Sequence, residues 1–356
     1  MLKFALVGCG RIARKHAGNL GESRIDNAKL TAVCDIQADR AKCYGEKYNV
    51  PWFTDMHEMM EKVGHDIDVL NILTPSGSHA EHTLELAGYG KHIVVEKPMA
   101  LTLRDADKMI EACDKAGVRL FVVKQNRFNL PVLKLKESLD KGRFKKMVMG
   151  TVRVRWCRDQ AYYDQDEWRG TWAHDGGVFA NQAIHHIDLL QWIMGDVESL
   201  YAKSTKRLVN IEAEDTGVVV LKFCSGALGI IEATTATRPK DLEGSVSIMG
   251  EGGTVEIAGF AVNEMKTWNF TDTEESDSDV LEKYKQNPPD VYGFGHTEYL
   301  SNVVESILNS KAALVGGLEG RKSLELVSAI YESIETEKEV YLNFTPKKCR
   351  LGLKEN

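Results

Sequence analysis

Residues 3–13 read Lys-Phe-Ala-Leu-Val-Gly-Cys-Gly-Arg-Ile-Ala, KFALVGCGRIA. An apolar run of buried-strand type, residues 3–7, enters Gly8-Cys9-Gly10-Arg11-Ile12-Ala13, and a helical pattern follows at once. In a G-x-G-x-x-A turn, Gly8 permits the tight bend and Gly10 lets the backbone approach a pyrophosphate. Ala13 is small enough for the helix to pack closely on the strand. The helix N-terminus offers unbonded N–H groups and the positive end of its dipole. Alone the pattern is weak, and its context gives it force. A second apolar run, residues 29–34, ends on Asp35. A carboxylate there accepts hydrogen bonds from a ribose diol and repels a 2′-phosphate. The expectation is NAD rather than NADP, with Arg40 and Lys42 nearby as the residues able to serve a phosphate instead.

Strand and helix patterns keep alternating over the first third. Residues 68–73 (DVLNIL), 92–96 (HIVVE) and 119–123 (RLFVV) are short and apolar, with amphipathic stretches between them. That alternation predicts a parallel sheet covered on both faces, with right-handed crossovers. Beyond residue 123 a helix is expected over about residues 130–141. Longer runs with two-faced alternation follow at residues 147–158, 216–224, 226–237 and 245–250. Helical patterns also cover residues 178–194, 296–308 and 318–336. The fold class is therefore α/β, a Rossmann domain over residues 1–125, followed over residues 126–356 by an α+β domain with an open, mostly antiparallel sheet. The acidic run at residues 271–283 has no apolar period and reads as an exposed loop.

Composition narrows the function. The 356 residues carry a net charge of −7, which argues against binding nucleic acid or an anionic membrane through bulk electrostatics. Seven scattered cysteines form no CxxC pair, as in a reduced compartment. No apolar run suits a signal peptide or a membrane span, so the expected location is cytoplasmic.

Ligands of a doubly wound sheet lie outside the carboxyl ends of its strands. Thr74 and Pro75 end the third apolar run and fall beside the nicotinamide ribose. His79 is open between a cofactor contact and a solvated first-turn residue behind a Ser78 N-cap. Glu96-Lys97-Pro98 ends the fourth run and faces the same crevice. A lysine there can accept a proton when desolvated, or stay charged and polarise a hydroxyl or carbonyl. The plain alternative is a surface lysine paired with Glu96. Arg11, Ile12, Glu96 and Gln125 complete the expected cofactor contacts.

The segments GCGRIA, AVCD, TPSGSHAEH, VVEKPMA and GGVFANQAIHHIDLLQWIMG together resemble the glucose–fructose oxidoreductase/inositol dehydrogenase/MocA family over nearly the whole chain. The resemblance implies that Lys97 lies in the active site and that a cis peptide precedes Pro98. It also implies that the second domain's sheet bears the substrate and the subunit contacts, giving a homo-oligomer, a tetramer or at least a dimer. Asn181 stands where family members commonly carry Asp, with the catalytic histidine four residues later, here His185. An amide cannot be a general base, so proton handling falls to His185 and Lys97, and Asn181 positions substrate. His185, His186 and Asp188 lack the i, i+4 histidine pair of helical zinc motifs, and no metal is expected. His186 reads as structural.

Residues 125–129, 152–177 and 232–245 crowd Arg, Gln, Tyr, Trp and Thr. Arg127, Arg158, Arg169 and Arg238 are candidates to clamp anions bidentately. Gln160, Tyr162, Tyr163, Trp168, Thr171 and Trp172 are candidates to line a sugar or base. Arg153 and Arg155 alternate along a strand and read as a solvated face or a subunit contact. These stretches are similar to the UDP-N-acetyl-2-amino-2-deoxy-D-glucuronate 3-dehydrogenases of bacterial surface-polysaccharide synthesis. That similarity implies a UDP-linked amino-sugar uronic acid as substrate and oxidation of its C3 hydroxyl by NAD. The rivals are a dehydrogenase of a free polyol, inositol or hexose, for which no anion clamp is needed, and a non-catalytic NAD-sensing regulator.

Overall fold

The computed structural model describes residues 1–274, 277–285 and 293–353. Two compact units form, residues 1–124 with 296–321, and residues 125–295 with 322–356.

The first unit is built on β1 (Leu2–Val7), β2 (Ala28–Cys34), β3 (Trp52–Phe53), β4 (Val69–Ile72), β5 (His92–Val95) and β6 (Leu120–Val122). Every pairing is parallel and the order is β3-β2-β1-β4-β5-β6. Helices α1 (Ala13–Gly21), α2 (Ala38–Tyr48), α3 (Met56–Val63), α4 (His79–Ala87) and α5 (Leu103–Lys115) connect the strands. β4 is buried along its whole length, as strands covered on both faces must be. The order reverses between β1 and β4, and there a crevice opens at the carboxyl ends of the strands.

Residues 296–321 also belong to this unit, although the sequence reading placed them with the second domain. Val122 N–H donates to the Val315 carbonyl at 3.2 Å, so the outer edge of β6 is partly covered. The Arg119 guanidinium donates to the carbonyls of Ser306 and Lys311, both at 2.6 Å. Nothing local announces this return, because its partners lie about 190 residues apart.

The second unit holds α6 (Leu130–Asp140), β7 (Met147–Arg155), α7 (Gln160–Tyr163) and α8 (Ile184–Met194). Strands β8 (Val197–Thr205), β9 (Thr216–Phe223), β10 (Leu228–Thr234), β11 (Glu243–Gly250), β12 (Gly253–Ala258) and β13 (Glu264–Phe270) follow, with the short α9 (Val280–Lys283) after them. Helix α10 (Gly295–Leu308) lies with the first unit from residue 296 onward, and α11 (Gly317–Thr336) and strand β14 (Val340–Tyr341) close the chain. The sheet order is β13-β12-β11-β7-β10-β9-β8-β14, and only β7 and β10 pair in parallel. α8 packs against β7 and β11. β9 alternates strictly, with Gly217, Val219, Leu221 and Phe223 buried and Val218, Val220 and Lys222 outward. Cross-strand pairs extend that outer face through Tyr201, Val220, Ile230 and Thr151. On the same face Arg155 pairs with Glu232 at 2.6 Å and Glu243 at 3.1 Å, as expected of a solvated or subunit-contact strand. Of the acidic run at 271–283, residues 275 and 276 lie outside the described residues.

Candidate active site

In the first unit the phosphate loop is tightly seated. Gly8 has φ +102°, and a Cβ there would lie 2.7 Å from the Leu73 carbonyl carbon and 2.9 Å from the Thr74 nitrogen. No L side chain fits that position without moving β4. A Cβ on Gly10 would meet nothing within 4 Å, so that side of the loop is open to a bulky ligand. The Asp35 carboxylate accepts from the Cys9 N–H at 2.7 Å and the Gln37 N–H at 2.8 Å, which fixes it beside the loop. Arg11 is exposed and Ile12 half-buried at the start of α1. Open glycine, helix N-terminus and fixed carboxylate fit a dinucleotide's pyrophosphate and ribose.

Thr74 and exposed Pro75 follow β4, and the Thr74 hydroxyl lies 2.9 Å from His82. His79 is buried, so the solvated reading fails; Ser78 makes no side-chain cap. Its Nδ1 lies 2.7 Å from the Pro98 carbonyl and its Nε2 2.8 Å from the Thr74 carbonyl. His79 thus ties together the ends of β4 and β5. Lys97, half-buried, follows β5, and its peptide bond to Pro98 is cis. Glu96, expected at the cofactor, instead turns inward. Its carboxylate accepts from the Lys97 N–H at 3.1 Å and faces His16 at 3.1 Å and His296 at 3.8 Å.

In the second unit, Asn181 lies in a π-helical turn, Val178–Gln182, closed by the Ala183 N–H on the Val178 carbonyl at 2.8 Å. Such wide turns recur at functional sites. The Asn181 amide donates to the buried Asp175 carboxylate, and its oxygen accepts from Gln182 at 2.9 Å. His185 opens the buried face of α8, with its Nε2 3.1 Å from the Gln125 amide nitrogen. Gln125 was expected at the cofactor; its side chain meets the candidate catalytic histidine within the second unit instead. His186 is fully buried edge-on to Trp156 at 5.6 Å, and burial lowers its pKa to about 3.

The arginine cluster is only partly as expected. Arg127 is a correction: it is 2% exposed and its Nε and Nη2 reach Asp188 at 2.7 and 2.8 Å. A bidentate buried pair of this kind holds α8 to the 125–128 turn and does not clamp a ligand. Tyr163 is a second correction, packed with Val209 and Ile211 and turned toward Thr235. Gln160 braces Asn210 and Asp164. Neighbouring Tyr162 takes the central place. Its hydroxyl accepts from Arg169 and Gln182, both at 3.0 Å, and its ring lies under the guanidinium of Arg169 at 4.8 Å and of Arg158 at 5.4 Å. The Arg169 guanidinium also lies 4.6 Å from the Trp168 ring, and the Thr171 hydroxyl donates to the Trp168 carbonyl. Arg238 folds onto the carbonyls of Thr237 at 2.7 Å and Arg158 at 3.2 Å. Arg158, Arg169, Arg238, Tyr162 and Trp168 thus form one patch, in which Arg158 pairs with Asp241 and Arg169 with Asp166, both at 2.9 Å.

Sequence reasoning missed Glu214. It lies in the acidic stretch 212–215, yet it is buried. Its Oε1 accepts from Phe179 N–H at 3.1 Å and Tyr331 O–H at 3.0 Å, so it pins the start of the π turn.

A family model described as "Oxidoreductase family, NAD-binding Rossmann fold" matches residues 2–124, and one described as "Oxidoreductase family, C-terminal alpha/beta domain" matches residues 136–342. The first unit is therefore an NAD-binding domain. The WlbA dehydrogenase from Bordetella pertussis, solved with NADH and UDP-GlcNAcA, is 40% identical with TM-score 0.88, covering 96% of this chain and 99% of that one. The WlbA dehydrogenase from Chromobacterium violaceum, solved with the same two ligands, is 42% identical with TM-score 0.89, covering 96% of each chain. Myo-inositol 2-dehydrogenase of Thermotoga maritima is 31% identical over 354 residues, 96% of this chain and 98% of that protein. No helix among the described residues is long and apolar enough to cross a membrane.

Burial raises the Glu214 pKa from 4.5 to about 7, against the hydrogen bonds it accepts. The folded state therefore holds this proton more tightly than the unfolded chain. The resulting stability is full below pH 4.5 and is lost as pH rises through about 7. Glu214→Gln should remove a pH-dependent contribution on the order of 2–3 kcal/mol between pH 5 and 8. Denaturation midpoints across that range check it; identical pH slopes in the two proteins would contradict it.

Proposed function

The chain belongs to the glucose–fructose oxidoreductase/inositol dehydrogenase/MocA family of oxidoreductases, and we propose that it oxidises the C3 hydroxyl of UDP-N-acetylglucosaminuronic acid to the 3-keto sugar with NAD. The observation that carries this reading is the patch of Arg158, Arg169 and Arg238 against Tyr162 and Trp168 in a protein of net charge −7. A nucleotide sugar acid offers a diphosphate and a carboxylate to guanidinium groups and a uracil to aromatic rings. Whole-length identity of 40–42% to two proteins solved with UDP-GlcNAcA supports it. Oxidation of an inositol or free polyol is the second reading, favoured by the 31% identical relative. It calls for no anion contact from Arg158, Arg169 and Arg238, of which the first two already pair with Asp241 and Asp166.

Oxidation of a secondary alcohol removes a hydride from carbon and a proton from oxygen. NAD, when bound, takes the hydride at its nicotinamide ring. Lys97 holds the hydroxyl and favours its ionised form, and His185 accepts or relays the proton. Asn181, fixed by Asp175, orients the sugar. The 3-keto product suits a following aminotransferase in bacterial surface-polysaccharide synthesis. Subunits pair through the outer sheet face, where Val218, Val220 and Leu228 are each more than half exposed.

Incubating the protein with NAD, UDP-sugars both acidic and neutral, and myo-inositol should give a product two hydrogens lighter from the UDP-uronic acid, read by mass. Preferential oxidation of myo-inositol would replace this substrate by the second reading. Lys97→Ala should lower turnover by about 10²- to 10⁴-fold with NAD still bound; unchanged turnover removes Lys97 from the mechanism. Val220→Glu should shift the protein to a smaller assembly in light scattering, and an unchanged mass would place the subunit contact elsewhere.

A further inference from the structure

Three buried groups of the first unit meet although they lie far apart in the chain. His16 of α1 and His296 of α10 are 0% and 2% exposed, and Glu96 after β5 is 5% exposed. Glu96 Oε1 lies 3.1 Å from His16 Nε2 and 3.8 Å from His296 Nε2, and the two rings sit edge to face at 5.7 Å. The amide of Asn71, on β4, lies 3.0 Å from the far nitrogen of His16 and so orients that ring. Glu96 Oε2 accepts the Lys97 N–H. Burial pushes the Glu96 carboxyl up, but the hydrogen bond from His16 and the nearby His296 imidazole outweigh it and hold the carboxyl well below the usual range. Burying a carboxylate is costly, and packed apolar side chains of similar volume are often neutral or better for stability. Stability alone therefore gives no reason for three such groups here. What they touch does, because this carboxylate holds the backbone amide of Lys97.

We propose that Glu96, gripped by His16 and His296, is a positioning residue for Lys97: it fixes the peptide from which the lysine side chain leaves β5, and so aims the amine at the substrate hydroxyl. This rests on the reading of Lys97 as the proton-handling group. A residue acting only through Lys97 has nothing left to do once the amine is gone, so its effect must vanish in a Lys97→Ala background.

The test is a double-mutant cycle on the sugar that the wild-type chain oxidises fastest, with product measured by mass and NADH affinity by nicotinamide fluorescence. Glu96→Gln keeps the shape of the side chain but not its charge. It should lower turnover by about 10- to 100-fold while NADH affinity stays within about threefold, and Glu96→Gln/Lys97→Ala should be no slower than Lys97→Ala to within about threefold. Wild-type turnover in Glu96→Gln, or losses that multiply in the double variant, overturns this inference and leaves the role of Lys97 standing. Wild-type turnover in Lys97→Ala overturns both. Should Glu96→Gln fold poorly, His296→Gln leaves the carboxylate in place and should give a smaller loss, again absent without Lys97; a loss that persists there counts against the proposal. Two imidazoles and a carboxylate also suit a divalent cation, so one equivalent of metal in the purified protein would replace this account by a metal site.

Discussion

Parallel strands bring their carboxyl ends to one edge of a sheet, and the chemistry of the first unit hangs from that edge. Gly8 follows β1, Asp35 follows β2, Thr74 follows β4 and Lys97 follows β5. Each was placed by the same geometry, so the residues that meet a cofactor need not be near one another in sequence. The edge is also braced sideways. Gly8 can sit against Leu73 and Thr74 only because it lacks a Cβ, and His79 spans from the Thr74 carbonyl to the Pro98 carbonyl. A loop, a strand end and the lysine-bearing turn are thereby locked together.

The second unit solves a different problem. Its sheet must bury one face and still carry a dense set of polar groups. It does so by pairing them internally. Arg127 with Asp188, Glu214 with Tyr331 and Phe179, and Asn181 with Asp175 each satisfy a buried group that would otherwise be costly. These pairs surround the π turn and the start of α8, and so they set where His185 and Asn181 stand. Arg158 and Arg169 lie against aromatic rings and pair with Asp241 and Asp166, both at 2.9 Å, which limits their freedom.

Much of this was legible in the residues. The glycine spacing, the buried-strand runs and Asp35 carry local signatures, because turn geometry and strand burial act on neighbours in the chain. The alternation in residues 216–224 likewise announced a two-faced strand. Arg127 was misread because an arginine beside Gln125 and Asn126 looks like a ligand clamp, and nothing nearby shows that Asp188, 61 residues on, neutralises it. Tyr163 and Tyr162 are adjacent, and only the packing of Val209 and Ile211 decides which turns inward. The histidine–carboxylate cluster was invisible for the same reason, since Glu96 and His296 are two hundred residues apart. His16 did leave a trace: it shares the apolar face of α1 with Ala13, Ala17 and Leu20. A histidine on such a face is a candidate for a buried partner.

The proposed reaction comes down to one event, the passage of hydride from C3 of a UDP-linked uronic acid to nicotinamide while protein groups take the hydroxyl proton. Labelling follows it directly. With the sugar deuterated at C3, mass and proton spectra of the coenzyme recovered after a single turnover should show deuterium at C4 of the nicotinamide and none left in the sugar. Deuterium retained in an oxidised sugar, or coenzyme reduced without label, would mean that another position is attacked and that the arrangement around Lys97 serves a different reaction.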